Sequence, residues 1–319
     1  MEGWQQRRTS FGAVAADYAQ LRPGYPADAV TFLLGTRPRR VLDLGAGTGL
    51  LTDVLLAAGH EVVAVDLSEP MLEQLRARLP QVGAVRGGAE AIPLPDADVD
   101  AVVAGQAAHW FDPAPAAAEL RRVLRPGGVV GFVWNTRDER VPWVRALGEL
   151  LAEEARDHEA DQGVVDRFAA ELPATVEVFD SGTVQHVTPE QVVRGIGTRS
   201  YVATMDDADR DRFLGAVRAL VATHPDTRGR DQLELPYTTR AHRLTPADGH
   251  PARWPTANNR RKGSTVVPSA RTGEAARSAA AYSAVSSSAS GGDNRPRTGR
   301  STVPETQPST GSAPLSTCR

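Results

Sequence analysis

Apolar residues fall along the chain in two rhythms that take turns. Val41–Leu44, the HEVVAVD stretch ending at Asp66, and Asp98–Gly105 are almost continuously apolar, the mark of strands buried on both faces. Gln81–Arg86 and the GGVVGFVWNT stretch ending at Thr136 read as two more strands. Between them the spacing is helical over Ala27–Leu34 and Leu50–Ala58, through Met71, Leu72, Leu75 and Leu79, and over Ala114–Leu124. This alternation predicts an α/β fold around a parallel sheet. Ser68 is the expected cap of the third helix, with Pro70 in its first turn. Pro126-Gly127-Gly128 is expected to stop one helix and start the fifth strand. Pro142–Ala155 is amphipathic and is expected to begin a lid or substrate-side insertion. Thr175–His186 alternates as a sixth strand, TPEQVV opens a helix, Asp206–Ala222 is helical, and Gln232–Leu244 is a last strand.

Chemistry concentrates where the first strand meets its helix. Gly45, Gly47 and Gly49 make a tight turn that lets a ligand lie against the backbone, facing the free N–H groups of a helix N-terminus. The spacing is G-x-G-x-G, which departs from the G-x-G-x-x-G of dinucleotide sites. Asp43, inside the strand end, would repel a diphosphate and hold an ammonium group. Asp66 ends the next strand, where such folds place an acceptor for ribose hydroxyls.

These residues resemble the first two motifs of the class I S-adenosylmethionine-dependent methyltransferases, the type 11 methyltransferase domain in particular. The resemblance covers about residues 10–245 and is strongest over 40–135. It implies a doubly wound, Rossmann-like sheet of seven strands in the order 3-2-1-4-5-7-6, the last strand antiparallel, with S-adenosyl-L-methionine as cofactor. The implied cofactor site takes Asp43, Gly45, Ala46, Gly47, Gly49 and Asp66, with Leu67 and Met71 placed to sandwich an adenine. Gly88 stands where the family often has an acid on the adenine amino group, so that role passes to the Ala89 N–H and to Glu90. Gln106, His109 and Trp110 follow the fourth strand and are expected beside the methyl group, with His109 the candidate general base. SFGAVAADYAQLRPGYP resembles a cover segment of the trans-aconitate methyltransferase-like group, which would bring Tyr18, Arg22 and Tyr25 against cofactor or substrate.

Composition adds boundaries. At 319 residues with 41% hydrophobic content there is enough for one large or two small domains. Residues 246–319 carry a net charge of +6 and few large aliphatic residues, against −9 for residues 1–245. A disordered low-complexity tail over 246–319 behind a methyltransferase domain over 1–245 is the expectation. The acidic first part argues for a small-molecule substrate over nucleic acid. No apolar segment approaches the ~20 residues that cross a bilayer, and the first ten residues lack a signal-peptide core, so a soluble cytoplasmic enzyme without membrane contact is expected. The one cysteine, Cys318, excludes an intrachain disulfide, and His158, His186, His224, His242 and His250 show no metal-ligand spacing. Trp110, Trp134, Trp143 and Tyr201 are candidates for an aromatic substrate pocket, and Arg22 and Arg199 for binding an acidic group. The alternative to an enzyme is a methyltransferase-like binding or regulatory protein.

Overall fold

The computed structural model describes residues 20–151 and 158–247. In chain order the elements are Ala27–Leu34 (α1), Arg40–Leu44 (β1), Leu50–Ala57 (α2), Glu61–Asp66 (β2), Glu69–Arg78 (α3), Gly83–Arg86 (β3) and Val99–Gly105 (β4). Pro113–Val123 (α4), Leu124–Arg137 (β5), Pro142–Leu150 (α5), His158–Glu171 (α6) and Ala174–Val187 (β6) follow. Pro189–Gly197 (α7), Ser200–Ala203 (α8), Asp207–Thr223 (α9) and Leu233–Pro246 (β7) complete the described part.

The seven strands form one sheet in the order β3-β2-β1-β4-β5-β7-β6. The pairs among β1 to β5 are parallel, and β7 runs antiparallel to both neighbours. β1, β2 and β4 are short and largely buried, and each returns through a helix or loop to the next parallel strand. β6 and β7 pair along their whole length, from Ala174 opposite Pro246 to Val187 opposite Leu233.

Period-two alternation sorts the core into two layers. Leu42, Leu44, Val102, Ala104, Val130, Phe132 and Trp134 pack on one face with Leu120 of α4 and Phe168 of α6. Val41, Ala101, Val103 and Val133 pack on the other with Val30 and Leu33 of α1 and Leu55 of α2. Removing a side chain such as Leu42, Leu55 or Phe168, each 0% exposed, from water contributes roughly 1.5–3 kcal/mol. A further cluster joins α5, α7 and α9 to the β6–β7 ends through Trp143, Val192, Ile196, Val217 and Leu235.

Four expectations are corrected here. Pro126-Gly127-Gly128 does not stop α4, which ends at Val123. It lies inside β5, where the register with β4 shifts between Val99 and Ala101 and Gly127 takes φ 76°. Ser68 stands at the start of α3, but its side chain makes no capping bond. Trp134, Trp143 and Tyr201 are buried in two separate clusters, so they do not gather with Trp110 into one aromatic pocket. Helices α6 and α8 were not expected. α5 ends at Leu150, and the rest of its expected span falls partly outside the described residues, as do Tyr18 and everything after residue 247.

Candidate active site

A cleft of about 680 Å³, open to solvent, lies along the carboxyl ends of the central strands. Its position follows from topology: β2-β1 and β4-β5 leave β1 in opposite directions, and the crevice opens where the order reverses.

The floor is the turn between β1 and α2. Gly45 and Gly49 adopt φ 74° and 85°. A Cβ on Gly45 would stand 2.6 Å from the Ala107 Cβ, and one on Gly49 3.0 Å from Leu75. Backbone conformation and packing both exclude a side chain there. The Gly45 and Ala46 N–H groups donate to the Val65 carbonyl, at 2.7 and 3.1 Å, and so bind the turn to the end of β2. A Cβ on Gly47, which lines the cleft, would meet no protein atom within 4 Å.

Asp66 lines the adjoining wall with Leu67, Ser68 and Met71. Its Oδ2 accepts from the Gly47 N–H and its Oδ1 from the Ser68 N–H, each at 2.8 Å. Two backbone donors therefore orient the carboxylate. In the first turn of α3 Pro70 has no N–H, and the Met71 N–H donates to the Ser68 carbonyl at 3.1 Å in place of the Ser68 hydroxyl. Gly88 and Ala89 form the next part of the wall. A Cβ on Gly88 would stand 3.2 Å from both Glu90 Oε2 and Leu67 Cδ2, so the space of the expected acid is already filled. Glu90 itself is not part of the wall; its Oε1 accepts from the Asp112 N–H at 3.0 Å.

The loop carrying Gly88 and Ala89 is clasped from behind by Arg122. Its guanidinium donates to the Ile92 and Leu94 carbonyls, at 2.8 and 2.7 Å, and to Glu119, whose Oε2 accepts from the Ile92 N–H at 2.8 Å. The pairing holds the Glu119 carboxyl below its usual range. This clasp carries no sequence motif, and only the spacing of Glu119 and Arg122 on one helical turn hints at it.

Asp43 is placed differently from its neighbours. It is 0% exposed and is not part of the cleft wall; Thr52 Oγ1 donates to its Oδ2 at 2.6 Å. Its Oδ1 is buried without a hydrogen-bond partner. Burial pushes its pKa up to about 7, the Thr52 bond opposes this, and the Asp66 charge adds to it. Ala46 is buried within the turn, and neither it nor Gly49 reaches the wall.

The opposite wall comes from Gly105, Gln106, Ala107, Trp110 and Phe111. Gln106 holds φ 54°, a left-handed conformation that costs a non-glycine residue of order 1–3 kcal/mol. Two bonds to β5 maintain it: its N–H donates to the Val133 carbonyl at 2.9 Å, and its Nε2 to the Asn135 carbonyl at 2.8 Å. His109 stands behind this wall. Its ring lies 4.9 Å from that of Trp110, and its Nδ1 accepts from Trp134 Nε1 at 3.5 Å. Of the N-terminal segment, Tyr25 packs against the backbone of Gly105, where a Cβ would come within 2.6 Å of its hydroxyl. The Gly24 carbonyl accepts from Asn135 Nδ2 at 3.0 Å. Arg22 does not line the cleft; it shares a second, smaller pocket with Arg199. Among the described residues no group of three His, Cys, Asp or Glu is placed to hold a metal ion, and no helix is long and apolar enough to cross a membrane.

Known proteins share this arrangement. The methyltransferase domain family matches residues 42–132, the span that supplies the turn, Asp66 and both walls. An uncharacterised methyltransferase of Mycobacterium tuberculosis is 47% identical over 237 residues, covering 74% of this chain and 95% of its own length. A malonyl-[acyl-carrier protein] O-methyltransferase of Methylococcus capsulatus is 42% identical over 134 residues, covering 39% of this chain and 49% of that protein. A type II methyltransferase structure from Anaeromyxobacter dehalogenans superposes with a TM-score of 0.51 at 28% identity, over 70% of this chain and 97% of its own. With the glycine turn, the pinned Asp66 and the 3-2-1-4-5-7-6 sheet in one place, the chain belongs to the class I S-adenosylmethionine-dependent methyltransferases.

Proposed function

We propose that this methyltransferase binds S-adenosyl-L-methionine in the 680 Å³ cleft and methylates an oxygen of a small molecule. The observation that carries the reading is the Asp66 carboxylate, pinned by the Gly47 and Ser68 N–H groups beside an open glycine floor. That set suits a ligand with a ribose diol and no phosphate: Asp66 accepts hydroxyls, Leu67 and Met71 offer apolar surface for a base, and Gly47 leaves room at the backbone. When bound, the cofactor supplies a sulfonium-activated methyl group. Asp43, sealed beneath the turn, has no wall position from which to touch a ligand directly.

The chain's own task is alignment, which supplies much of the acceleration in an in-line displacement. Gln106, held in its strained conformation by β5, and the wall of Trp110 and Phe111 fix one side. A role for His109 as base fits less well, because its Nδ1 already serves as acceptor for Trp134 and the ring lies outside the wall. An oxygen that is already anionic needs no base, and a relative matched over the cofactor half bears the name of an O-methyltransferase.

Calorimetry on the purified protein tests the cofactor. S-adenosylhomocysteine should bind, NAD should not, and Asp66→Ala should weaken binding by about 1.5–3 kcal/mol, the worth of a charged hydrogen bond. Binding of NAD in preference would overturn the reading. Replacing His109 by Gln should leave turnover within about tenfold, short of the roughly 10²–10⁴ lost with a general base.

A further inference from the structure

The second pocket is smaller, partly open to solvent, and unlike the first in chemistry. Three arginines line it, Arg22, Arg137 and Arg199, with Tyr237, Gln185 and Gln191. Each comes from a different element. Arg137 is the last residue of β5 and sits opposite Tyr237 of β7 in the register. Arg199 directly precedes α8, and Arg22 belongs to the N-terminal segment, where its Nε donates to Thr198 Oγ1 at 3.1 Å.

Arg137 and Arg199 have no matching anion among the described residues. Neither Arg137 nor Arg199 forms a salt bridge or side-chain hydrogen bond with a described residue, and the Nε of each is buried without a partner. A buried guanidinium usually has a carboxylate against it, because an uncompensated buried charge costs several kcal/mol. Here burial, then the charges of Arg137 and Arg22, push Arg199 down to about 9, with the phenols of Tyr201 and Tyr237 opposing. Burial likewise lowers Arg137, and the carboxylate whose charge it feels belongs to Glu139, which is exposed. Both guanidinium groups keep their charge at neutral pH. Burial also pushes the Tyr237 phenol up, so it stays a neutral hydrogen-bond donor.

We infer that this pocket is an anion-binding subsite in which Arg137, Arg199 and Tyr237 hold a carboxylate or phosphate of the methyl acceptor. Guanidinium forks match either group bidentately, and two amide side chains add neutral donors. The fold joins the subsite to the cleft. Gln106, on the cleft wall, donates to the Asn135 carbonyl, and Arg137 lies two residues further along the same strand, about 7 Å at strand rise. Anchoring a remote anionic group there would align the reacting end toward the cleft and direct binding energy into positioning. As an acceptor subsite it rests on the methyl-transfer reading; as an anion site it stands alone.

Binding to the full chain separates these possibilities. Malonate, succinate, inorganic phosphate and phenyl phosphate are titrated with and without S-adenosylhomocysteine, against chloride at matched ionic strength. At least one probe should raise the melting temperature beyond chloride, and the two carboxylates against the two phosphates identify the preferred head group. Arg137→Gln and Arg199→Gln should each weaken that binding at least tenfold while changing S-adenosylhomocysteine affinity less than twofold. Without anion, Arg199→Gln should melt at or above the parent, since it relieves like-charge crowding; a structural arginine would show the reverse. Should either glutamine variant fail to fold, Arg137→Lys and Arg199→Lys keep the charge, lose the fork and should still bind at least tenfold more weakly. The inference is overturned if no probe exceeds chloride, or if the arginine variants respond to the anions like the parent. Cofactor binding with no anion response defeats this inference alone; anion response without cofactor binding defeats the methyl-transfer reading instead.

Discussion

Burial favours the protonated form of a carboxyl group, and at Asp43 one oxygen has no donor to offset it. The sign of the consequence follows from the direction of the shift. The native state retains a proton that the unfolded chain loses above about 3.8, so stability is full below that pH and is lost as pH rises through about 7. The shift corresponds to at most about 4 kcal/mol at 1.36 kcal/mol per unit. Asp43→Asn keeps an oxygen for Thr52 and has no charge to bury. It should match the parent below about pH 3.8 and exceed it by a margin that grows as pH rises, reaching about 4 kcal/mol at pH 8 without cofactor. Denaturant midpoints across that range decide it, and parallel pH profiles for the two proteins would refute it. The sequence placed this acid at the end of β1 without revealing that it faces Thr52, because a strand residue's face depends on which helix crosses above it.

At the scale of elements, the cleft depends on a loop that has little structure of its own. Between β3 and β4 the segment 87–98 presents Gly88 and Ala89 to the cleft, and Arg122 of α4 satisfies two of its carbonyls while gripping Glu119. Arg122→Ala should cost about 2 kcal/mol, within the range for hydrogen bonds to a charged group, and should weaken S-adenosylhomocysteine binding although Arg122 touches no part of the cleft. Lysine should not restore affinity, since a point charge cannot replace a fork that spans two carbonyls and a carboxylate. Unchanged cofactor affinity in both variants would show that the loop is held by other means. Elements with a strict apolar rhythm were legible in the sequence: α1 and β1 to β4 fall within two residues of their expected limits. Helix α6 was not, although Val164, Val165, Phe168 and Leu172 form its buried stripe, because acidic and small residues dilute the pattern. The capping box of α7, Thr188 with Gln191, was written plainly in TPEQ and marks that helix start.

For the whole molecule, the β-α alternation pointed to a ligand site at the carboxyl ends of the strands, whereas the strand order was available only through the family resemblance. The arginine pocket could be anticipated only in part. Arg22 and Arg199 are candidates for binding an acidic group from the sequence, whereas Arg137 is visible only once β5 is known to run past Asn135 and meet Tyr237 on β7. That pairing also closes the last described strand. β7 lies between β5 and β6, its last residue Pro246 is paired with Ala174, and the Ala247 N–H closes on the Pro173 carbonyl at 3.2 Å. Past that bond the sequence has few large aliphatic residues and a net positive charge. A chain ending at Ala247 should therefore melt within about 2 °C of the full chain, since a change of 1 kcal/mol moves a domain of this size by about 2–4 °C. Its affinity for S-adenosylhomocysteine should stay within twofold, because the cleft walls all come from residues before 112. Ending at Tyr237 instead removes most of the β7 ladder, with Ala241, His242 and Leu244 from the core, and should abolish folding. A large loss of melting temperature in the chain ending at Ala247 would mean that the later residues dock on the domain, and composition would then be the wrong guide to its boundary.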